Sequence, residues 1–384
     1  MSAITSFLDG VGLLEMTVPR AIMILIALLL MYLAITKKYE PLLLLPIAFG
    51  MMVANLPIAG LSAYDEGGLL WFLNQGVVRG IYPPLIFLCL GIMIDFGPLI
   101  ASPRTALIGL GGQVGIIVAF GGALLLGNLF YPIIPGFYGI DFREAASIAI
   151  IGSSDGPTAI LTAATLAPHI LPAITIAAYS YMALIPIIQP PIMRALTTDK
   201  ERAIIMPQLK KVTRRQKIIF PIALTLVTLL LVPAAGPLIS MLMLGNLIKE
   251  SGVAERYVRT LQNDALNILT LFIGISIGAT ASAERILNFQ TILIIGIGLL
   301  AFCIGTAGGV LAAKVMCKIT GGKVNPLIGN SGVSAMPMAA RVSQKMGQEY
   351  NPQNHLLMQA MGPLVSSTIG SAILAGIFIA LFGG

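Results

Sequence analysis

The chain has 384 residues, of which 57% are hydrophobic and only 10% charged, with a mean hydropathy of +0.93. A soluble domain carries about 25% charged residues, so this composition excludes a soluble protein and indicates a polytopic membrane protein. The net charge of +7 does not indicate a nucleic-acid partner, because eight of the 23 Lys and Arg fall between Arg194 and Lys217, which reads as one cytoplasmic loop.

The N-terminus places Asp9 and Glu15 before its first apolar run. It lacks the basic n-region and small-residue cleavage site of a signal peptide, so Ile22–Ile35 reads as a retained span. Apolar stretches of about 20 residues are expected to cross the bilayer. They fall near 18–35, 41–57, 81–101, 105–128, 169–193, 218–232, 236–248, 262–281, 290–313 and 354–382. Two further segments, 144–166 and 325–345, are apolar but interrupted in the middle. If both are re-entrant, Lys37, Lys38, Arg104, the 194–217 loop, Lys249, Arg256, Arg259, Lys314, Lys318 and Lys323 share one side, and that side is cytoplasmic. The fold expected is all-α, with about ten transmembrane helices. A single Trp (Trp71) and apolar runs too long for barrel strands argue against an outer-membrane barrel.

The chain also repeats itself. Gly91 to Asp95 ends one span with Arg104 following, and Gly274 to Gly278 ends another with Arg285 following. A Gly-rich span comes next in each case, Leu107 to Gly127 and Ile292 to Ala313. An interrupted segment follows, Ser147 to Thr165 and Asn325 to Ser343, and then a long apolar span. By the charge count the two halves are inverted, which is the architecture of secondary transporters and pumps, each half with a broken or re-entrant helical hairpin. The expected division is 1–80 for N-terminal membrane helices, 81–194 for the first repeat, 195–217 for the basic loop, and 218–384 for the second repeat with its preceding helices.

Asp155 carries the strongest chemical signal. It sits in Ile151-Gly-Ser-Ser-Asp-Gly-Pro-Thr158 between apolar stretches. A carboxylate at membrane depth costs roughly 2.5–3.5 kcal/mol on insertion scales. Gly156-Pro157 breaks a helix there and frees backbone carbonyls. Ser153, Ser154 and Thr158 add hydroxyls, so the segment suits a monovalent hard cation such as Na+. The plainer alternative is an Asp paired to an Arg for assembly. The second interrupted segment offers Asn325, Asn330, Ser331 and Ser334, whose amide and hydroxyl oxygens could complete a cage or, for the serines, merely allow close helix packing. Arg341 could fork onto a carboxylate, neutralise Asp155, or snorkel to water. Tyr181, like Tyr179, could donate a proton or ligate an ion, or be an interfacial belt residue. Asp95, His169 and His355 read as capping or interfacial groups. Cys89, Cys303 and Cys317 have neither metal spacing nor a disulfide pattern. No GxxxxGK[ST] or Ala-Met-Lys-Met sequence is present, so the chain has neither that ATP site nor covalent biotin.

Gly152 to Thr158, Tyr179-Ser-Tyr181, Gln189-Pro-Pro191, Asn325 to Arg341, Lys345 to Gln348 and Gln359 to Pro363 together resemble the beta subunit of the sodium-pumping biotin-dependent decarboxylases. That family includes oxaloacetate, methylmalonyl-CoA, glutaconyl-CoA and malonate decarboxylases. The resemblance implies a membrane subunit that decarboxylates carboxybiotin brought by a partner, consumes a proton and exports Na+. It implies that Asp155 binds Na+ and that Tyr181 lies on the ion or proton path. Asn325, Gly329 and Ser334 would line the second half of the site, and Arg341 would face the carboxybiotin route. It also implies a soluble carboxyltransferase, a biotin carrier and a small single-span subunit as partners. The setting would be a homo-oligomeric complex in a bacterial cytoplasmic membrane. Two departures stand out: Ser153 and Ser154 replace a smaller run, and Leu364 follows Gly362-Pro363 where the family often has Asn. Ser153, Ser154, Asn330 or Ser331 are the candidates to supply the missing oxygen. The rival reading is a stand-alone secondary transporter of Na+/H+ or a carboxylate, which the absence of a biotinylated partner would favour. A mere membrane anchor leaves Asp155 unexplained.

Overall fold

The computed structural model describes residues 15–38, 41–57, 66–135, 137–335 and 337–383; Asp9 and Met336 lie outside them. The described chain is helical, without strands. Its principal helices are α1 (Val18–Thr36), α2 (Pro41–Ala54), α3 (Leu69–Val78), α4 (Tyr82–Met93), α5 (Ala106–Gly112), α6 (Val114–Phe130), α7 (Phe142–Ala149), α8 (Gly156–Leu166), α9 (Leu171–Leu196), α10 (Arg214–Leu231), α11 (Gly236–Ser251), α12 (Leu266–Thr280), α13 (Phe289–Ile319), α14 (Met338–Tyr350) and α15 (Leu357–Phe382). Among the described residues five helical stretches are long and apolar enough to cross a bilayer: Val18–Thr36, Pro103–Phe130, Glu255–Thr280, Phe289–Ile319 and Leu357–Phe382. Two bent pairs raise this to seven. Several of the ten spans expected from hydropathy are shorter than a full crossing, such as α2 with 14 residues and α11 with 16.

The bends have identifiable causes. α3 and α4 meet at 68° across Gly80, which has φ +66, and Pro83-Pro84 restart the helix. α9 bends by 64° between Met182 and Leu184. The ring of Pro186 opposes the carbonyl of Met182 four residues earlier and removes one ladder bond. The short α3 was not among the expected spans, since Asn74 and Gln75 interrupt its apolar pattern.

Small residues decide which helices touch. A Cβ added at Gly278 would come within 2.1 Å of the Ile47 carbonyl oxygen, so α12 crosses α2 backbone to backbone. α4 and α11 meet in the same way: a Cβ at Gly91 would lie 2.0 Å from Leu242 O, and one at Gly245 would lie 2.1 Å from Leu88 O. In a lipid environment such close packing supplies the association that apolar burial cannot.

The two interrupted segments are hairpins. The first enters through α7, whose Asp141 and Glu144 form a capping box: Glu144 N donates to Asp141 Oδ1 at 2.7 Å and Asp141 N to Glu144 Oε2 at 3.0 Å. It tightens to a 3₁₀ turn at Ile150–Ser153 and reverses through Ser154, a non-glycine residue at φ +53. It returns along α8 until His169 Nε2 lies 2.6 Å from Glu144 Oε1, so both ends of the hairpin lie together. The second enters as the 3₁₀ segment Pro326–Gly332 and returns along α14. Both of its ends are tied to the basic loop, because Asn325 Nδ2 and Asn354 Nδ2 donate to Arg202 O at 2.9 and 3.1 Å. Arg202 is itself buried and donates to Asp199, Tyr350 and the Arg194 carbonyl.

Gly245→Ala is expected to lower the thermal midpoint of the detergent-solubilised protein, with an overpacking cost of about 1–3 kcal/mol. Gly121→Ala, where no atom lies within 4 Å of the added carbon, is expected to leave the midpoint unchanged. A fluorescence-detected melting series on the two variants checks this.

Candidate cation site

The tips of the two hairpins meet. Ser334 N donates to Ser153 O at 2.7 Å, a backbone bond between segments about half the chain apart. The approach depends on missing side chains. A Cβ at Gly112 would lie 1.8 Å from Gly332 O, one at Gly309 2.1 Å from Gly329 O, and one at Gly152 2.7 Å from Gly115 O. The Gly-rich helices α5, α6 and α13 thus form the floor on which both breaks rest.

Asp155 is at this junction and is 4% exposed. It is the N-cap of α8, with Thr158 N 3.5 Å from Oδ1, so the positive end of that helix faces the carboxylate. Its other oxygen, Oδ2, accepts from Ser371 Oγ at 2.6 Å. Among the described residues no Lys, Arg or His pairs with it, so an assembly ion pair does not account for its burial. A buried carboxylate without a counter-charge is costly and seeks a proton or a cation. The buried Ser154 Oγ, adjacent to Asp155 in sequence, has no hydrogen-bond partner among the described residues, an unmet capacity that a hard cation could satisfy.

A chain of hydroxyls leads away from Asp155 along α15. Ser334 Oγ lies 3.4 Å from Ser371 Oγ and 3.0 Å from Ser367 Oγ. Ser367 Oγ donates to Gly332 O at 2.5 Å and accepts from Gln113 Nε2 at 2.8 Å. The sequence pattern singles out Leu364 in this span and neither Ser367 nor Ser371. The available signal was a pair of serines four residues apart on one face of an otherwise apolar helix.

The remaining expected site residues make the following contacts. Ser153 Oγ donates to its own Ile150 carbonyl at 2.8 Å. Asn325 spends its carboxamide on Arg202 O, Ile204 O and the Leu327 N–H, at the outer end of its hairpin. Asn330 Nδ2 donates to Gln189 Oε1 and Ala339 O, both at 2.8 Å, while its Oδ1 accepts from Ser331 and Ser343. Gly329 is packed against the backbone of Gly309. The structure therefore brings Asp155, Ser154, Thr158, Ser153 and Ser334 together, and gives Asn325, Gly329, Asn330 and Ser331 other contacts. Tyr181 donates to the Ile295 carbonyl on α13. Tyr179 is the tyrosine whose ring lies against Gly156, beside Asp155. Arg341 is exposed on α14, without a hydrogen bond or ion pair among the described contacts.

A cavity of about 210 Å³ reaches this junction, with Ser154, Asp155, Tyr179 and Ser334 in its wall. The architecture and the junction define a helical protein with several apolar helices long enough to cross a membrane, built around a buried carboxylate that no positive side chain among the described residues balances. Residues 19–382 match the profile of the Na+-transporting oxaloacetate decarboxylase beta subunit. The chain is 52% identical to the methylmalonyl-CoA decarboxylase subunit beta of Veillonella parvula, covering 99% of this chain and 97% of that one. It is 49% identical to the glutaconyl-CoA decarboxylase subunit beta of Acidaminococcus fermentans (100% and 98%) and 46% identical to the oxaloacetate decarboxylase beta chain of Klebsiella pneumoniae (99% of each). The chain belongs to the family of beta subunits of Na+-transporting decarboxylases.

Because the Asn330 carboxamide is saturated with protein partners, Asn330→Ala is expected to destabilise the fold by about 1–3 kcal/mol. Thermal melting with and without added Na+ checks this, and the stabilisation given by Na+ is expected to match that of the unmodified protein.

Proposed function

We propose that the chain is the membrane subunit in which decarboxylation of carboxybiotin drives Na+ across a bacterial cytoplasmic membrane. Na+ is the cargo and Asp155 its principal ligand. The observation that carries this reading is the buried Asp155 carboxylate, without a counter-charge among the described residues, beside the unpartnered Ser154 hydroxyl. Ser153, Ser334 and Ser371 complete the oxygen-rich junction. Asn325, Gly329, Asn330 and Ser331 act by holding the second hairpin in the shape that presents Ser334.

The two hairpins, with their flanking Gly-rich spans, are read as inverted repeats, and the whole chain as about ten crossings including the short helices. The tip-to-tip bond between Ser334 and Ser153 supports a site at the repeat interface. Movement of that junction relative to the surrounding helices would expose Asp155 to one side and then the other. A proton arriving at the Asp155 carboxylate displaces the cation, and the Ser371–Ser334–Ser367 hydroxyls offer a route along which it can be passed.

Carboxybiotin, carried by a partner subunit, would lose its carboxyl group as CO2 by cleavage of the N–C bond, the freed ureido nitrogen taking up one proton, and this step would supply the driving free energy. The residues that fit an anionic guest lie along α14. Arg341 is exposed and unpaired, and Lys345 one turn later borders a cleft of about 300 Å³ beside Arg194, which pairs with Glu349 at 3.0 Å. A guanidinium holds a carboxylate in a planar fork. A soluble carboxyltransferase, a biotin carrier and a small single-span subunit are the partners of this reading, in a homo-oligomeric complex. The relatives named for three different acids match this chain at 46 to 52%. That similarity supports a subunit handling a common carboxylated carrier while a partner selects the acid.

In vesicles containing the assembled complex, Asp155→Asn is expected to abolish uptake of radioactive sodium; uptake that survives the change sinks the reading. Arg341→Gln is expected to slow decarboxylation by about 10- to 100-fold, the loss of one charge-assisted contact, with the Na+ concentration for half-maximal rate little altered. Rate measurements against Na+ concentration separate the two roles.

A further inference from the structure

The cavity beside Asp155 is lined by a second group of polar residues, Asn267 and Thr270 of α12. They are three residues apart and stack on one side of the helix. Neither side chain has a hydrogen-bond partner among the described contacts, and Asn267 is exposed. Asn267 stands in the first turn of α12, just after the exposed Gln262-Asn263-Asp264, where a carboxamide can meet water at the entrance of the cavity. Leu43, Leu90, Met182 and Ile273 give the same cavity apolar walls. About 210 Å³ is room for several waters, and hence for a monovalent cation with part of its hydration shell.

Local geometry gives a reason for the placement. The five residues before α12, Leu261–Ala265, form a π-helical turn. Such a turn inserts one residue and re-phases the face that follows. The charges show which side this part of the cavity serves. Lys37 and Lys38 precede α2, which contributes Leu42 and Leu43; Arg256 and Arg259 precede Asn267; and Asp95 with its partner Lys217 follows Leu90. By the positive-inside rule this is the cytoplasmic side.

We propose that Asn267 and Thr270 form an outer cation station on the cytoplasmic side of the cavity. It replaces part of the Na+ hydration shell before the ion reaches Asp155 and sets the preference for Na+. The inference rests on the reading of Asp155 as the cation site. The carboxamide oxygen and the hydroxyl are neutral ligands, which suits a transient stop: a carboxylate there would hold the ion and slow its passage.

The test uses the assembled complex in vesicles, with Na+ or Li+ as the probe. Replacing both residues, Asn267→Leu and Thr270→Val, is expected to raise the Na+ concentration for half-maximal decarboxylation and uptake by about tenfold, the effect of one lost polar contact. The rate at saturating Na+ is expected to hold, and the Na+/Li+ preference to narrow. Thr270→Ser is expected to keep the unmodified value, since it retains the hydroxyl. An unchanged Na+ dependence in the double variant overturns the station. The Asp155→Asn control separates the two readings: uptake surviving that change removes the Asp155 site itself, whereas its loss beside a normal double variant removes only the station. A second measurement covers a misfolded double variant. Thr270→Cys, with Cys89, Cys303 and Cys317 replaced by Ala, is expected to react with an impermeant cationic thiol reagent from the cytoplasmic side, more slowly when Na+ is present. Absence of reaction from that side also overturns the proposal.

Discussion

The carboxylate of Asp155 is buried among backbone ends and hydroxyls, with no positive side chain among the described residues to balance it, and the surrounding structure is arranged around that condition. An isolated charge at this depth is tolerable only where oriented dipoles and hydrogen bonds replace water. The N-terminus of α8 and the Ser371 hydroxyl provide these. Both require a break in the helix at this point, and the break requires neighbours that can approach its exposed backbone. Gly112, Gly115, Gly305 and Gly309 on the long helices make that approach possible, since side chains there would collide with the hairpin tips.

The same constraint explains how the polar groups of the second hairpin divide into two sets. Those near its tip, Ser334 with Ser367 and Ser371 from α15, face Asp155 or its hydrogen-bonded neighbours. Those along its arms are consumed in holding the hairpin together: Asn330 ties Gln189 on α9 to Ala339 on α14, and Asn325 ties the hairpin mouth to the Arg202 loop. A rigid arm lets a small displacement at one end reach the tip. The staple at the opposite hairpin, where Glu144 meets His169 and Gln290 at 2.6 and 2.8 Å, fixes its outer end in the same manner. The junction is therefore held from both faces of the protein while its interior remains a cavity.

Much of this was legible in the residues. Composition made the chain a membrane protein, and Gly156-Pro157 beside an acid marked the first break. Gly332 and Pro337 marked the second, and the motif strings around Asp155 and Arg341 identified the family that the comparisons then showed. Other features were not legible. The serines of α15 sit in a span whose hydropathy is simply high, and their importance comes from facing Ser334 across 33 to 37 residues of chain. Tyr179 and Tyr181 are indistinguishable by pattern, and only the bend and rotation of α9 put the first against Gly156 and the second against α13.

The sequence by itself determined the solvent in which this protein folds, the places where its helices break and the acid that those breaks expose, because local rules govern each: hydropathy over a span, the missing amide of proline, the cost of a buried charge. The tertiary structure decided which polar groups meet that acid and which are spent on one another. Donor and acceptor pairing depends on the rotation and crossing of helices far apart in the chain, set by the close contact of glycine-bearing faces, and no window of sequence contains that information.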